Sequence, residues 1–151
     1  MLHRGFTTVR DAAGADFGLQ EAVARGLFDG PRRFIAGQPI SQTSGHADMR
    51  PKGVRSIEHG HLIDEATARE MKRCGAFLVP TLATCSAEML DKLARVQSRG
   101  LDAVRIALAE GVPVVFGTDL LGHMHGQQSQ ESVLRSAAMG PLQVLRSSLP
   151  A

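Results

Sequence analysis

The chain has no tryptophan, no tyrosine, only two cysteines and no long apolar run. With only six Phe rings for bases to stack on and a formal net charge of only +2, the sequence gives no reason to expect nucleic-acid binding. A helix that crosses a bilayer needs about 20 apolar residues, so no membrane partner is expected. Cys74 and Cys85 form no paired-cysteine motif and no signal peptide is evident, so a reducing cytoplasm is the expected location.

Short β-rich runs alternate with helical patterns along the 151 residues, which predicts an α/β fold with parallel strands. The predicted strands are residues 6–9, 33–36, 55–57, 76–80 and 112–116. The predicted helices are residues 17–28, 65–73, 86–110 with a break near Gly100, 129–139, and a short helix from Pro141. Asp16 and Asp64 are predicted to cap two of these helices, because an aspartate oxygen accepts from the first free backbone N–H groups.

One segment departs from this alternation. Residues 37–53 contain two prolines and three glycines and have no helical period. A parallel crossover usually contains a helix, yet the next strand follows directly. The sequence therefore predicts that residues 38–53 form a long loop without regular structure, spanning a gap in the sheet.

Two motifs carry the residues most suited to chemistry. Residues 56–60 read SIEHG and residues 114–119 read VVFGTD, so His59 and Asp119 both follow short apolar runs, sixty positions apart. In a (β/α)₈ barrel one strand-helix unit takes roughly 31 residues, so this spacing corresponds to alternate strands, whose ends form active sites. We predict that the two side chains converge. Taken singly, each also fits an ordinary role, a hydrogen-bonded histidine at a strand end and an aspartate in a turn.

Three further histidines lie in predicted loops. His46, near Asp48, follows the second predicted strand, while His123 and His125 follow the last one. At the mouth of a barrel such residues would contact substrate, whereas the simpler interpretation is a set of polar turns. Neither His59-Gly60-His61 nor His123-Met124-His125 is expected to clamp a metal, because residues two apart share a face only on a strand.

Taken together, the motifs resemble the amidohydrolase superfamily, in particular its imidazolonepropionase-like and Xaa-Pro dipeptidase-like branch. The resemblance lies in residues 5–14, 31–48, 53–71, 75–84 and 111–131. It implies a (β/α)₈ barrel that hydrolyses C–N bonds of amides, dipeptides or cyclic amides with water activated by a divalent metal, usually zinc. In this resemblance His59 corresponds to the metal ligand of the sixth strand. Asp119 corresponds to the eighth-strand residue, which binds metal and acts catalytically by moving protons.

The same resemblance implies an incomplete barrel. Residues 1–151 would form a partial domain with about five parallel strands and flanking helices, corresponding to strands 2–3 and 6–8 of the family. The HxH pair of the first strand, the carboxylated lysine of the fourth and the histidine of the fifth have no counterparts. A catalytic zinc takes about three protein ligands. We therefore expect the isolated chain to bind zinc weakly and to show no detectable hydrolysis.

Three functional hypotheses follow. The first is a metal-dependent hydrolase acting on a small-molecule or dipeptide-like substrate. The second is a catalytically inactive remnant that lacks most of the metal ligands. The third is a non-enzymatic scaffold that forms homo-oligomers through open sheet edges, because unpaired strands are ready to pair with another chain. Metal content separates the first hypothesis from the other two.

Overall fold

The computed structural model describes residues 1–12, 15–35, 55–85, 92–120 and 122–149. The chain divides into two compact units, Met1–Asp48 and Met49–Ala151. The loop predicted over residues 38–53, together with His46 and Asp48, lies outside the described residues. The assignment of residues 1–151 to one partial barrel domain stays a prediction.

The first unit contains a pair of parallel strands. Its elements are a 3₁₀ turn at Leu2–Arg4, β1 at Thr8–Asp11, α1 at Phe17–Ala24 and β2 at Arg32–Ile35. The strands align with Thr8 opposite Arg32. As predicted, Asp16 caps α1, its Oδ1 accepting from the Leu19 backbone N–H at 2.8 Å. The prediction that this helix reaches residue 28 is wrong, because the chain turns through Gly26, whose φ is 69°.

The second unit contains the longer helices. Its elements are β3 at Ser56–Glu58, α2 at Glu65–Cys74, β4 at Phe77–Val79, a 3₁₀ turn at Leu82–Cys85, α3 at Lys92–Ala109, a 3₁₀ turn at Gly122–Gln127, α4 at Gln130–Arg135 and α5 at Pro141–Ser147. Helix α2 is capped at both ends. Asp64 Oδ1 accepts from the Thr67 N–H at 2.8 Å, which lowers the pKa of Asp64, and Gly75 ends the helix in the left-handed region at φ 65°.

Strand β4 lies at the centre of three parallel segments. Strand β3 pairs with it on one side, with Ser56 opposite Phe77. On the other side Val114 bridges to Leu78 in parallel, and the Leu78 N–H donates to the Pro113 carbonyl at 2.9 Å. The described residues thus form a mixed α/β structure with short parallel strands and no closed barrel. The finer prediction, an incomplete barrel of about five strands, stays a prediction.

The core of the second unit is apolar and lies between the strands and the helices. Met71, Leu78, Leu82 and Val104 are almost completely buried in one cluster. Other members come from the segment around Val114, from the turn after α4 and from α5, namely Val112, Val114, Met139 and Val144. This cluster packs β4 against α2 and α3.

Two helix predictions in the second unit are corrected. Helix α3 continues through Gly100, so the predicted break there is wrong. A Cβ atom at Gly100 would lie 2.6 Å from Leu82 Cδ2, which indicates that glycine serves here for close packing. Helix α4 ends at Arg135, four residues before the predicted end, and turns follow it. Within the described ranges, none of the helices combines the length and the apolar character needed to cross a membrane.

Candidate functional site

Three residues at the ends of the parallel segments share an uncommon backbone conformation. His59 follows β3, Thr81 follows Pro80 at the end of β4, and Asp119 follows the segment around Val114. Their φ angles are 62°, 50° and 52°, and among the described residues they are the non-glycine positions with positive φ. Such conformations cost about 1–3 kcal/mol each and are concentrated at functional sites. The clustering therefore marks these strand ends as a candidate site.

His59 and Asp119 approach each other from either side of β4. His59 Nε2 lies 3.8 Å from Asp119 Oδ2, and the two side chains are 29% and 47% exposed. The convergence expected from the sixty-residue spacing is thus present. Since Zn–N and Zn–O bonds are each about 2.0–2.2 Å, two atoms at this separation can bind the same ion. An imidazole nitrogen and a carboxylate oxygen are also donors that zinc accepts, so the two residues fit a divalent metal.

Thr81 holds the other side of the His59 ring. Its Oγ1 lies 2.8 Å from His59 Nδ1, and the residue is only 2% exposed. In the tautomer with a proton on Nδ1, the ring donates to the hydroxyl oxygen and turns the Nε2 lone pair toward Asp119. Metal-binding histidines usually make such a second hydrogen bond, which fixes their orientation. Sequence reasoning missed Thr81, because no sequence motif placed it opposite His59.

The second histidine of the HGH sequence has a different partner. His61 Nε2 lies 2.6 Å from the Pro80 carbonyl oxygen, within reach to donate a hydrogen bond. His59 and His61 therefore contact different groups, and the expectation that they do not clamp one metal stays a prediction.

The remaining predicted residues do not join this pair. His123 and His125 are exposed in the 3₁₀ turn at Gly122–Gln127, and His46 lies outside the described residues. Within the described ranges there is no group of three His, Cys, Asp or Glu side chains arranged to hold a metal ion. The metal and catalytic roles of His59 and Asp119, and the substrate contacts of the other histidines, stay predictions.

A buried ion pair lies behind these strand ends, and sequence reasoning missed it as well. Arg135 Nε donates to Glu131 Oε1 at 2.8 Å, and both side chains are completely buried. Burial lowers the pKa of Arg135, and the neighbouring Glu131 carboxylate opposes that shift. The guanidinium carbon also lies 5.3 Å from the centre of the Phe116 ring. An i, i+4 pair on a helix ordinarily indicates a solvent-exposed face, so the sequence carried no direct signal of burial.

No protein-family model and no curated protein matches the chain. Among solved structures, a prolidase complexed with N-methylphosphonate-L-proline is 31% identical, with a TM-score of 0.84 over 98% of this chain and 63% of that chain. A structure described as an amidohydrolase is 25% identical, with a TM-score of 0.81 over 98% of this chain and 63% of that one. The chain belongs to the amidohydrolase superfamily.

A solved structure of lower sequence identity shares the fold. A Xaa-Pro dipeptidase with methionine bound in its active site is 19% identical, with a TM-score of 0.73 over 95% of this chain and 62% of that chain. This amidohydrolase chain thus spans a little over three fifths of the length of the solved structures that it matches.

Proposed function

We propose that this chain carries part of the active site of a metal-dependent hydrolase that cleaves C–N bonds in amides or dipeptide-like substrates. The observation that supports this most directly is the 3.8 Å approach of His59 Nε2 to Asp119 Oδ2 at the ends of parallel strands. The prolidase bound to a proline phosphonate favours, among these substrates, a small dipeptide with a C-terminal proline.

The proposal assigns a role to each of the three strand-end residues. His59 Nε2 and Asp119 Oδ2 would hold a divalent metal, most simply zinc, which supplies an acidified water for attack on the amide carbon. Thr81 Oγ1 orients the His59 ring through its Nδ1 atom. The second carboxylate oxygen of Asp119 accepts a proton from the attacking water and passes it to the leaving nitrogen. The partial exposure of His59 and Asp119 leaves them accessible to substrate.

Two ligands are fewer than the three of a catalytic zinc site, so competence of this chain alone is a separate question. We expect the isolated chain to bind zinc weakly and to hydrolyse no dipeptide detectably. The hypotheses of an inactive remnant and of a scaffold that self-associates through its sheet edges stay predictions that the same purified protein can test.

The first experiment titrates Zn²⁺ into the purified, metal-free chain by isothermal calorimetry and compares His59→Ala and Asp119→Asn with the original. Each substitution removes one proposed ligand, so the affinity is expected to fall at least about tenfold. His3→Ala is the matched control, because His3 is an exposed histidine in the first unit and has no proposed role. Equal affinity in the original chain and in His59→Ala would refute the assignment.

Turnover is measured on the same samples with an Xaa-Pro dipeptide. Absence of hydrolysis by the isolated chain is the expected result. If the chain instead retains one zinc after dialysis and cleaves the dipeptide, with both properties lost in His59→Ala, it is a complete enzyme and the expectation of incompetence is wrong.

A further inference from the structure

At the end of β4, two backbone groups take partners from outside the regular hydrogen-bond pattern of the strands and the turn. Val115 N–H donates to the Leu78 carbonyl at 2.8 Å, so a ladder continuing in this register would have residue 80 donate to the Val115 carbonyl. Residue 80 is proline, which has no N–H. Beyond it the 3₁₀ turn at Leu82–Cys85 begins, and the first N–H groups of such a turn have no partner inside it.

The buried ion pair satisfies both groups. Arg135 Nη2 donates to the Val115 carbonyl at 2.6 Å, which replaces the donor that Pro80 lacks. Glu131 Oε2 accepts from the Ala83 N–H at 2.7 Å. The Val115 carbonyl requires a donor, which Arg135 supplies, and the Ala83 N–H requires an acceptor, which Glu131 supplies.

The two groups that the pair satisfies belong to the segments that carry the candidate site. Ala83 lies two residues after Thr81, whose hydroxyl contacts the His59 ring. Val115 lies four residues before Asp119 in the neighbouring segment. The pair therefore connects the turn that orients His59 with the segment that presents Asp119. A third contact, from Arg135 Nη1 to Ser147 Oγ at 2.9 Å, ties the guanidinium to α5.

Stability alone is a poor explanation for this arrangement. Removing two charges from water is costly, and apolar residues of similar volume often replace such pairs without loss. An apolar pair would remove these partners from the Ala83 N–H and the Val115 carbonyl. Ala83 lies two residues after Thr81 and Val115 lies four residues before Asp119, and both Thr81 and Asp119 have positive φ.

We propose that the buried Glu131–Arg135 pair is a positioning element of the candidate site, which holds Thr81 and Asp119 in place so that His59 presents Nε2 toward Asp119. The proposal rests on the proposed function for what the site does. The positions of the strand ends can be measured whether or not a metal binds.

The test substitutes Arg135→Lys, which retains the charge but cannot bridge Glu131, Val115 and Ser147 at once. The first readout is the pair of imidazole ¹⁵N shifts of His59 in the metal-free chain, assigned by their loss in His59→Ala. Thr81→Val removes the hydroxyl directly and shows how these shifts change when the ring loses its partner. We expect Arg135→Lys to shift the His59 signals in the same direction as Thr81→Val while circular dichroism stays that of the folded chain.

The control is Arg73→Lys, in an exposed glutamate–arginine pair on α2, which is expected to leave the His59 signals unchanged. The second readout is Co²⁺ affinity, expected to fall about tenfold in Arg135→Lys although no metal ligand has changed. A folded Arg135→Lys chain with unaltered His59 shifts overturns the proposal. If the original chain binds no Co²⁺, the proposed function fails while the ¹⁵N shifts still decide the positioning role.

Two measurements cover the case in which Arg135→Lys does not fold. Glu131→Gln keeps the volume of the side chain and is read out by the same ¹⁵N shifts. In the unsubstituted chain, the contact with Glu131 predicts slow hydrogen exchange at the Ala83 amide. Exchange there at the rate of an exposed amide overturns the proposal whatever the variants show.

Discussion

Two glutamate–arginine pairs of the second unit, each formed within a single helix, lie in opposite surroundings. Glu70 and Arg73 on α2 are 50% and 67% exposed, whereas Glu131 and Arg135 on α4 are completely buried. The exposed pair acts within its own turn. Hydrogen bonds from Arg73 and then Cys74 lower the pKa of Glu70 to about 2, and the contact with Glu70 raises the pKa of the Cys74 thiol.

The buried pair differs in what it connects. It contacts the backbone at Ala83 and Val115 and the hydroxyl of Ser147, which belong to three other segments. Exposed pairs contribute about 0–1 kcal/mol, because water and salt screen them and their side chains lose freedom. The comparison shows that the surroundings, and not the two residue types, decide whether such a pair determines the position of other segments.

The largest expected difference between the pairs is in how far the free energy of unfolding falls when one partner is removed. Arg135→Ala leaves the Glu131 carboxylate buried without its cation, so the free energy of unfolding is expected to fall by about 3–5 kcal/mol. Arg73→Ala, the matched control, is expected to lower the free energy of unfolding far less, because water and salt screen the exposed pair. Urea unfolding followed by circular dichroism measures both. Similar losses for the two variants would contradict the contrast.

A smaller effect tests one contact of the buried pair. Ser147→Ala removes the acceptor of Arg135 Nη1, and a hydrogen bond to a charged group contributes about 1.5–3 kcal/mol. The neighbouring Ser148 is exposed and its hydroxyl lies 3.4 Å from the Val144 carbonyl, so Ser148→Ala is expected to change stability by less than about 0.5 kcal/mol. Comparing the two variants in urea isolates the guanidinium contact. If Ser148→Ala lowers the free energy of unfolding as much as Ser147→Ala does, the contact with the guanidinium contributes no additional stability.

The smallest effect concerns the pH dependence of the exposed pair. The pKa of Glu70 is about 2 in the folded chain against an ordinary 4.5, so its contribution is complete above the ordinary pKa and disappears as the pH falls toward 2. The difference in unfolding free energy between the original chain and Glu70→Gln should therefore shrink on acidification. Added salt should reduce this difference, because the pair is exposed. A difference that grows toward low pH would contradict the assignment.

The convergence of His59 and Asp119 could be predicted from the sequence because it depends on topology. The carboxyl ends of parallel strands meet at one edge, and the spacing of the two motifs placed them on alternate strands. The helix caps at Asp16 and Asp64 were predictable for a similar reason, since each depends on backbone groups only three residues away.

The buried pair could not be predicted because its partners are distant in sequence. Glu131 contacts Ala83, 48 positions earlier, and Arg135 contacts Val115, 20 positions earlier. One signal was available in Pro80, which cannot donate a ladder hydrogen bond and so leaves a carbonyl requiring another donor. Knowing that a donor is required does not identify it, and that step needed the three-dimensional structure. The break predicted at Gly100 failed similarly, because glycine there accommodates Leu82.

The close approach of Gly117 to Val79 has a consequence for how this sequence can change during evolution. A Cβ atom at position 117 would collide with Val79 Cγ1, the side chain of a buried residue at the end of β4. Alanine at 117 therefore requires the Val79 side chain to move or to be replaced by a smaller one, so substitutions at the two positions should be coupled. Substitution at 117 would also push against the strand that leads to Thr81, so lineages that keep the site should keep both residues.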